Sequence, residues 1–254
     1  MTLNRQMLTP NKSDKSGRNY ASLVLLGDVH FGSDYCNVQK FKEMVKYCTQ
    51  NELYVFLMGD MIEAANRYSV GSGVYEQKHP QDQVDGVIDI LSPLVDKKLI
   101  LGCLTGNHED RITKATGIDI TRYIAKSLSI PYLGAAGWSL FYVGKQSYTL
   151  YAIHGSSSPR HKHTKIKAVL DVSSIFPADI VAMGHVHDLD ITSGERQYVD
   201  RKRKTVYNRR FITLITGHYL NYDGYAKGMG FEIGKQGSPK VKLFAEEWDI
   251  HPSL

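Results

Sequence analysis

The chain has 254 residues, 42% apolar and 22% charged, with a formal net charge of +5 and ten histidines. That length carries a full hydrophobic core in one α/β domain, or in at most two small ones, and the composition is that of a globular chain. No apolar run approaches the roughly 18–20 residues of a membrane helix, and the charge is too mildly basic to prove a nucleic-acid partner by itself.

Residues 1–19 are polar and lack the apolar stretch of a signal peptide. They are expected to form a flexible arm, leaving residues 20–254 as a single domain. "ASLVLLG" at 21–27 reads as a buried strand. Phe41, Met44, Val45 and Cys48 fall at helical spacing, and "LYVFLMG" at 53–59 is a second buried strand. Val84, Val87, Ile88 and Leu91 give another helical stripe, followed by a third strand in "KLILGCLTG", 98–106. Ile120, Tyr123, Ile124 and Leu128 mark a helix that stops before Pro131. This β-α-β-α-β-α alternation predicts a parallel sheet with helix cover.

The second half reads differently. "SLFYVG" and "SYTLYAIHG" flank Lys145-Gln146 and predict a hairpin. "ADIVAMG" is a further buried strand, and "DLDITSGERQYVD", "KTVYNRRFITLITG" and "PKVKLFAEEWDI" favour antiparallel strands. Cys36, Cys48 and Cys103 include no C-x-x-C. They exclude a disulfide framework and a thiolate zinc site, and they favour a reducing, cytoplasmic compartment.

Five strand ends carry polar clusters: Gly27-Asp28-Val29-His30, Gly59-Asp60-Met61-Ile62-Glu63, Gly106-Asn107-His108-Glu109, His154-Gly155 and Gly184-His185-Val186-His187. Glycine lets the backbone turn sharply, so the next side chain points off the sheet edge. Ligands of open α/β sheets bind beyond the carboxyl ends of strands, so the five ends can converge on one pocket. Imidazole, carboxylate and one amide, without thiolate, suit Mn, Fe, Zn, Co or Ni better than Mg alone. About seven ligands exceed one tetrahedral centre and fit two metals about 3.5–4 Å apart.

In order and in spacing, these blocks resemble the calcineurin-like metallophosphoesterases, whose pattern is D-x-H, G-D-x-x-[D/E/N], G-N-H-[D/E], a later H, and G-H-x-H. The tail "HYLNYDGYAKGMGFEIGKQGSP" resembles the phage and prophage branch. The resemblance implies a four-layer α/β/β/α sandwich with two mixed sheets, one of them rich in antiparallel strands, and a metal site at the strand C-terminal ends. It implies a first metal on Asp28, His30 and His187, a second on Asn107, His154 and His185, and Asp60 as the bridge. It assigns His108 to contacting the phosphate and protonating the leaving oxygen. The cofactors it implies are two divalent ions, manganese first, which activate a hydroxide for attack on phosphorus. The function expected is hydrolysis of phosphodiesters of nucleotides or nucleic acid. A phosphomonoesterase and an inactive binding module are the alternatives.

Other residues keep two readings each. Glu63 and Glu109 either orient ligand imidazoles or cap helices. Arg67 and Arg111 either grip a phosphate oxygen or form ion pairs with nearby acids. His161 and His163 sit on a loop beside an already full site. "RKRKTVYNRR", 201–210, carries six basic residues with tyrosines nearby, namely Tyr198, Tyr207, Tyr219, Tyr222 and Tyr225. It is either a solvated basic turn or a device that steers a nucleic-acid backbone or acidic headgroup toward the metals. His218 stands where the family has a small residue. Apart from the phosphoester substrate no partner is implied, and no membrane.

Overall fold

The computed structural model describes residues 3–65, 78–156, 159–222 and 233–254. In chain order the elements are β1 (Asn4–Leu8), β2 (Lys12–Ser13), β3 (Asn19–Leu26), α1 (Val38–Gln50), β4 (Tyr54–Leu57), α2 (Pro80–Asp96), β5 (Ile100–Cys103), α3 (Asn107–Thr116) and α4 (Ile120–Ser127). They continue as β6 (Ala136–Val143), β7 (Gln146–Ile153), α5 (Lys162–Ile175), β8 (Ile180–Met183), β9 (Leu189–Asp200), β10 (Thr205–Thr216), β11 (Lys240–Phe244) and β12 (Ile250–Ser253).

One sheet runs β12-β11-β3-β4-β5, with β2 paired to β3; the other runs β1-β6-β7-β8-β10-β9. Both are mixed. In the first, β3, β4 and β5 are parallel and the β11 and β12 pairings antiparallel. In the second, β1 with β6, β7 with β8, and β8 with β10 are parallel. The second half keeps its expected antiparallel pairs, β6 with β7, β9 with β10 and β11 with β3 and β12, while α5 provides a crossover that makes β7 and β8 parallel. The N-terminal segment departs too. Asn4–Leu8, read as part of a flexible arm, pairs along β6 as an edge strand.

The two sheets pack face to face. Leu23, Leu25, Phe56 and Met58 of one meet Phe141, Leu150, Ala182 and Leu214 of the other in a continuous apolar layer. Each such side chain, removed from water, contributes about 1.5–3 kcal/mol. On one outer face Phe41, Val45, Val84, Leu91 and Ile124 seat α1, α2 and α4 against β3, β4 and β5. On the other, Val169 and Ala178 pack near Tyr151, Val181 and Ile215 beneath α5. The order of layers is helix, sheet, sheet, helix.

This arrangement positions the site. β3, β4, β5, β7 and β8 end in Leu26, Leu57, Cys103, Ile153 and Met183, a few residues before the five polar clusters. Parallel pairing of β3 with β4, β4 with β5 and β7 with β8 puts these ends at one edge of the sandwich.

Candidate metal centre

At three of the five strand ends, after β3, β4 and β8, the chain turns through an uncommon backbone state. Asp28, His30, Asp60, His185 and His187 all have positive φ, between 48° and 66°. For a residue with a Cβ this left-handed state costs about 1–2 kcal/mol, and Asp and His tolerate it better than most. Hydrogen bonds hold these turns in place. The Asp60 carbonyl accepts from the Val29 and His30 N–H groups at 2.8 and 2.9 Å. The Asp28 carboxylate accepts the His185 N–H at 3.0 Å.

The glycines serve mainly as space rather than as turns. A Cβ on Gly106 would lie 2.0 Å from Asp60 Oδ1 and 2.3 Å from its nitrogen; one on Gly184 would lie 3.0 Å from Asp28 Oδ2. Neither has positive φ, whereas Gly59 does, at 90°. Sharp turning, the reason expected from the sequence, applies at Gly59 and at Gly155, whose φ is 96°; close approach of the Asp60 loop explains Gly106.

The side chains gather in groups. Asp28, His30, Asp60 and His187 offer ligand atoms all within 4.8 Å of one another, and so do Asp60, His154 and His185. Asp60 belongs to both. His30 Nε2 and His187 Nε2 face each other at 3.0 Å, the separation two nitrogens adopt at near-right angles when each lies about 2.0–2.1 Å from one ion. His187 Nε2 is 3.4 Å from Asp28 Oδ1. His154 Nε2 lies 3.0 Å from Asn107 Oδ1 and 3.2 Å from Asp60 Oδ2. Asp60 Oδ2 is buried and accepts no hydrogen bond. The imidazole nitrogens of His154, His30 and His108 stand 3.2, 3.8 and 3.9 Å from it, so a buried anionic oxygen faces several nitrogens at once, a gathering that a cation shared among them would satisfy. The donor set and this buried, shared oxygen fit divalent metal.

The outer nitrogens are pinned in turn, as metal-ligating imidazoles usually are. His154 Nδ1 meets the Met58 carbonyl at 2.8 Å, and His30 Nδ1 meets Glu63 Oε2 at 3.1 Å. In the metal-free site, burial works against a charged His154, but the carboxylates of Asp60 and Asp28 raise it to about 10. Burial alone would raise Asp60; His154, His108 and His30 hold it well below the usual carboxylate range. Burial, with His154 nearby, pushes His185 down to about 4.

His108 lies beside this cluster. Its N–H donates to Asp60 Oδ1 at 2.9 Å, and its Nδ1 meets the Glu63 carbonyl at 2.8 Å. That leaves Nε2 facing the site, where the Arg111 guanidinium sits 3.0 Å away. Glu63 contacts both His30 and His108, its carboxylate 3.4 Å from His108 Nδ1. Glu109 does not orient an imidazole: its buried carboxylate accepts the N–H groups of Asp60, Met61, Ile62 and Gly106 at 2.7–3.1 Å. It ties the start of α3 to the Asp60 loop. The sequence showed an acid three residues after a helix cap, and only the fold shows which loop it clamps.

Arg67 and Tyr225 lie outside the described residues. His161 and His163 are exposed and stacked on each other at 5.6 Å, at the start of α5. His218, by contrast, is buried, with its ring 5.5 Å from that of His187. Its neighbour Tyr219 donates its N–H to the Asp28 carbonyl, so the end of β10 is knitted into the site.

No protein-family model matches the chain, and no curated protein matches it. Solved structures do resemble it. One is a conserved protein of Streptococcus pneumoniae TIGR4 described as a predicted phosphoesterase: 12% identity, 92% of this chain and 88% of that one, TM-score 0.39. Another is Vps29 of Entamoeba histolytica, solved with zinc: 11% identity, 91% and 97% covered, TM-score 0.40. A third is a hypothetical protein of Pyrococcus horikoshii OT3: 7% identity, 92% and 87% covered, TM-score 0.45. These likenesses concern the backbone, and the chemistry of the site is read from this chain's own side chains.

Proposed function

We propose that the chain is a metal-dependent phosphoester hydrolase of the calcineurin-like kind, acting on phosphodiesters of nucleotides or nucleic acid. The observation that carries the reading is Asp60 Oδ2, buried, ringed by the imidazole nitrogens of His154, His30 and His108 at 3.2–3.9 Å and shared by two ligand groups. In this reading Asp28, His30 and His187 would hold one ion, Asn107, His154 and His185 would hold a second, and Asp60 would contribute to both. Manganese is the first candidate. When bound, such ions lower the pKa of water and neutralise charge on phosphoryl oxygens.

The protein's own groups do the rest. The Glu63 carbonyl fixes His108 Nδ1, so Nε2 is the nitrogen presented to substrate. Burial opposes a charged His108, but Glu63 and Asp60 raise its pKa, which suits a group that must hold a proton for the leaving oxygen. The entering phosphoryl group displaces Arg111 from Nε2 and receives its guanidinium on an oxygen. Asn107 adds a ligand oxygen without adding negative charge.

The test measures metal content and manganese-dependent cleavage of an activated aryl phosphodiester and the matching monoester side by side. Diester preference across a wide substrate range supports the reading. Monoester preference makes the chain a phosphatase, and bound metal with no turnover on either makes it a binding module.

A further inference from the structure

The β9–β10 hairpin is longer than the sheet needs. β10 pairs with β8 only from Ile212 to Ile215, while it pairs with β9 along its whole length, from Thr205↔Asp200 to Thr216↔Leu189. The pairs from Thr205↔Asp200 to Phe211↔Gly194 therefore lie beyond β8, as a ribbon extending roughly 20 Å at about 3.4 Å per residue. Its direction is set by register. β8 and β10 are parallel, and His185 follows the C-terminal end of β8, so the ribbon leaves from the opposite edge. From Leu189 to Asp200 the path is about 37 Å. The basic segment thus points away from the candidate metals, so of the two readings of 201–210 the steering of a backbone into the metals falls away.

The charge is concentrated there. Residues 195–210 hold seven cations and two anions, a net +5 that equals the net charge of the whole chain. Three of the cations are spent at the root. Arg196 donates to the Ser173 and Ala178 carbonyls, Arg209 pairs with Asp179 at 2.7 Å, and Arg210 reaches the Ile250 carbonyl. The tip, Arg201 to Lys204, is exposed, and among the described residues its nearest ion pair is Arg203 with Asp200 at 3.9 Å. Behind the tip, Tyr198 and Tyr207 stack across the strands at 5.6 Å. Val199 and Val206 are 69% and 62% exposed. Cross-strand pairs stiffen such a ribbon by about 0.2–1 kcal/mol each.

We propose that this ribbon is an arm that binds duplex DNA through the phosphate backbone, apart from the metal centre. Four adjacent cations at a tip are complementary to a polyanion, whereas two copies of the ribbon would bring like charges together. A two-stranded ribbon fits the B-form major groove, about 12 Å wide; the deep, narrow groove of A-form RNA does not admit it. Tyr198, Tyr207, Val199 and Val206 give the arm the stiffness and apolar flanks to lie against the groove wall. The contact carries no base recognition, so it tethers the protein to DNA without choosing a sequence.

The test is fluorescence anisotropy of a labelled DNA duplex of roughly two helical turns, with chelator present so that neither metal nor turnover enters. Four phosphate contacts predict that affinity falls roughly a hundredfold between 50 and 200 mM salt. Lys202→Glu with Arg203→Glu should lower affinity at least about tenfold and cut the slope of log affinity against log salt by about 2. It should leave cleavage of a small aryl phosphodiester unchanged. Wild-type protein that does not bind the duplex, or a double variant with the same salt slope, overturns the proposal. So does tighter binding to phosphatidylserine vesicles than to the duplex, or self-association lost in the double variant. None of these outcomes bears on the hydrolase reading, which stands or falls on turnover.

Discussion

Gly106→Ala is the substitution that addresses the site most sharply without touching a ligand. The new Cβ would sit 2.0 Å from Asp60 Oδ1 and 2.3 Å from the Asp60 nitrogen. Ordinary contact needs more than 3 Å, so the Asp60 loop or the start of α3 must move by about 1 Å. That movement breaks the bond from the His108 N–H to Asp60 Oδ1, and it pulls apart the Glu109 clamp at the Asp60 and Gly106 N–H groups. Overpacking costs about 1–3 kcal/mol, and each hydrogen bond to a buried charged acceptor contributes about 1.5–3 kcal/mol. Counting only the His108–Asp60 bond as fully lost and the two Glu109 bonds as stretched, the expected loss of stability is about 2.5–6 kcal/mol. A displacement of that size at reacting groups also costs about a hundredfold in turnover. Gly184→Ala is the control: its Cβ would meet Asp28 Oδ2 at 3.0 Å, a contact relieved by a few tenths of an ångström, and should cost about 1 kcal/mol or less. Urea unfolding of both variants at equal slope measures the difference. Equal losses in the two, or a Gly106→Ala loss under about 1 kcal/mol with turnover intact, refute the packing argument.

Two further outcomes follow from the side chains. His108→Ala should keep the metals and lose turnover chiefly on esters with a poor leaving group; equal activity on a high-pKa alcohol ester removes its acid role. Metal binding should release protons. His154, raised to about 10 in the metal-free site, carries a proton at neutral pH that a metal must displace. Calorimetry in buffers of different ionisation enthalpy should find about one proton released near pH 7.5, and metal affinity should climb about tenfold per pH unit below the His154 value. In chelator the sign is fixed by the same shift. A pKa raised from 6.5 stabilises the fold below 6.5, and that contribution fades as pH rises toward 10. Affinity independent of pH, with no proton released, contradicts this.

The strand ends were legible because each short apolar run is closed by a polar cluster, and the parallel core around β3, β4 and β5 followed from helical stripes between them. Other elements were not. β1, "NRQML", shows little apolar alternation and forms as an edge strand because β6 offers it a partner. α3, "NHEDRITKAT", has one aliphatic side chain larger than alanine, Ile112, and exists because Gly106 and Glu109 cap it against the Asp60 loop. α5 carries Ile166, Val169, Leu170 and Val172 bunched together, a cluster that sequence periodicity does not separate from a strand. "PKVKLFAEEWDI", read as strand, is β11 and the turn that leads into β12 at Ile250. Within the site, residue types and order were visible, but three features depend on contacts between distant segments. These are the Asp60 oxygen shared between two groups of imidazoles, the Glu109 clamp over three consecutive N–H groups, and the burial of His218 on His187. The direction of the basic ribbon likewise depends on the parallel register of β8 and β10, which no local pattern encodes.

The most direct measurement is an anomalous difference map from crystals grown with manganese. The account predicts two peaks flanking Asp60 Oδ2, one among Asp28, His30 and His187 and one among Asn107, His154 and His185, both lost in Asp60→Ala. A map with no peak at Asp60, or with manganese bound away from these side chains, contradicts it.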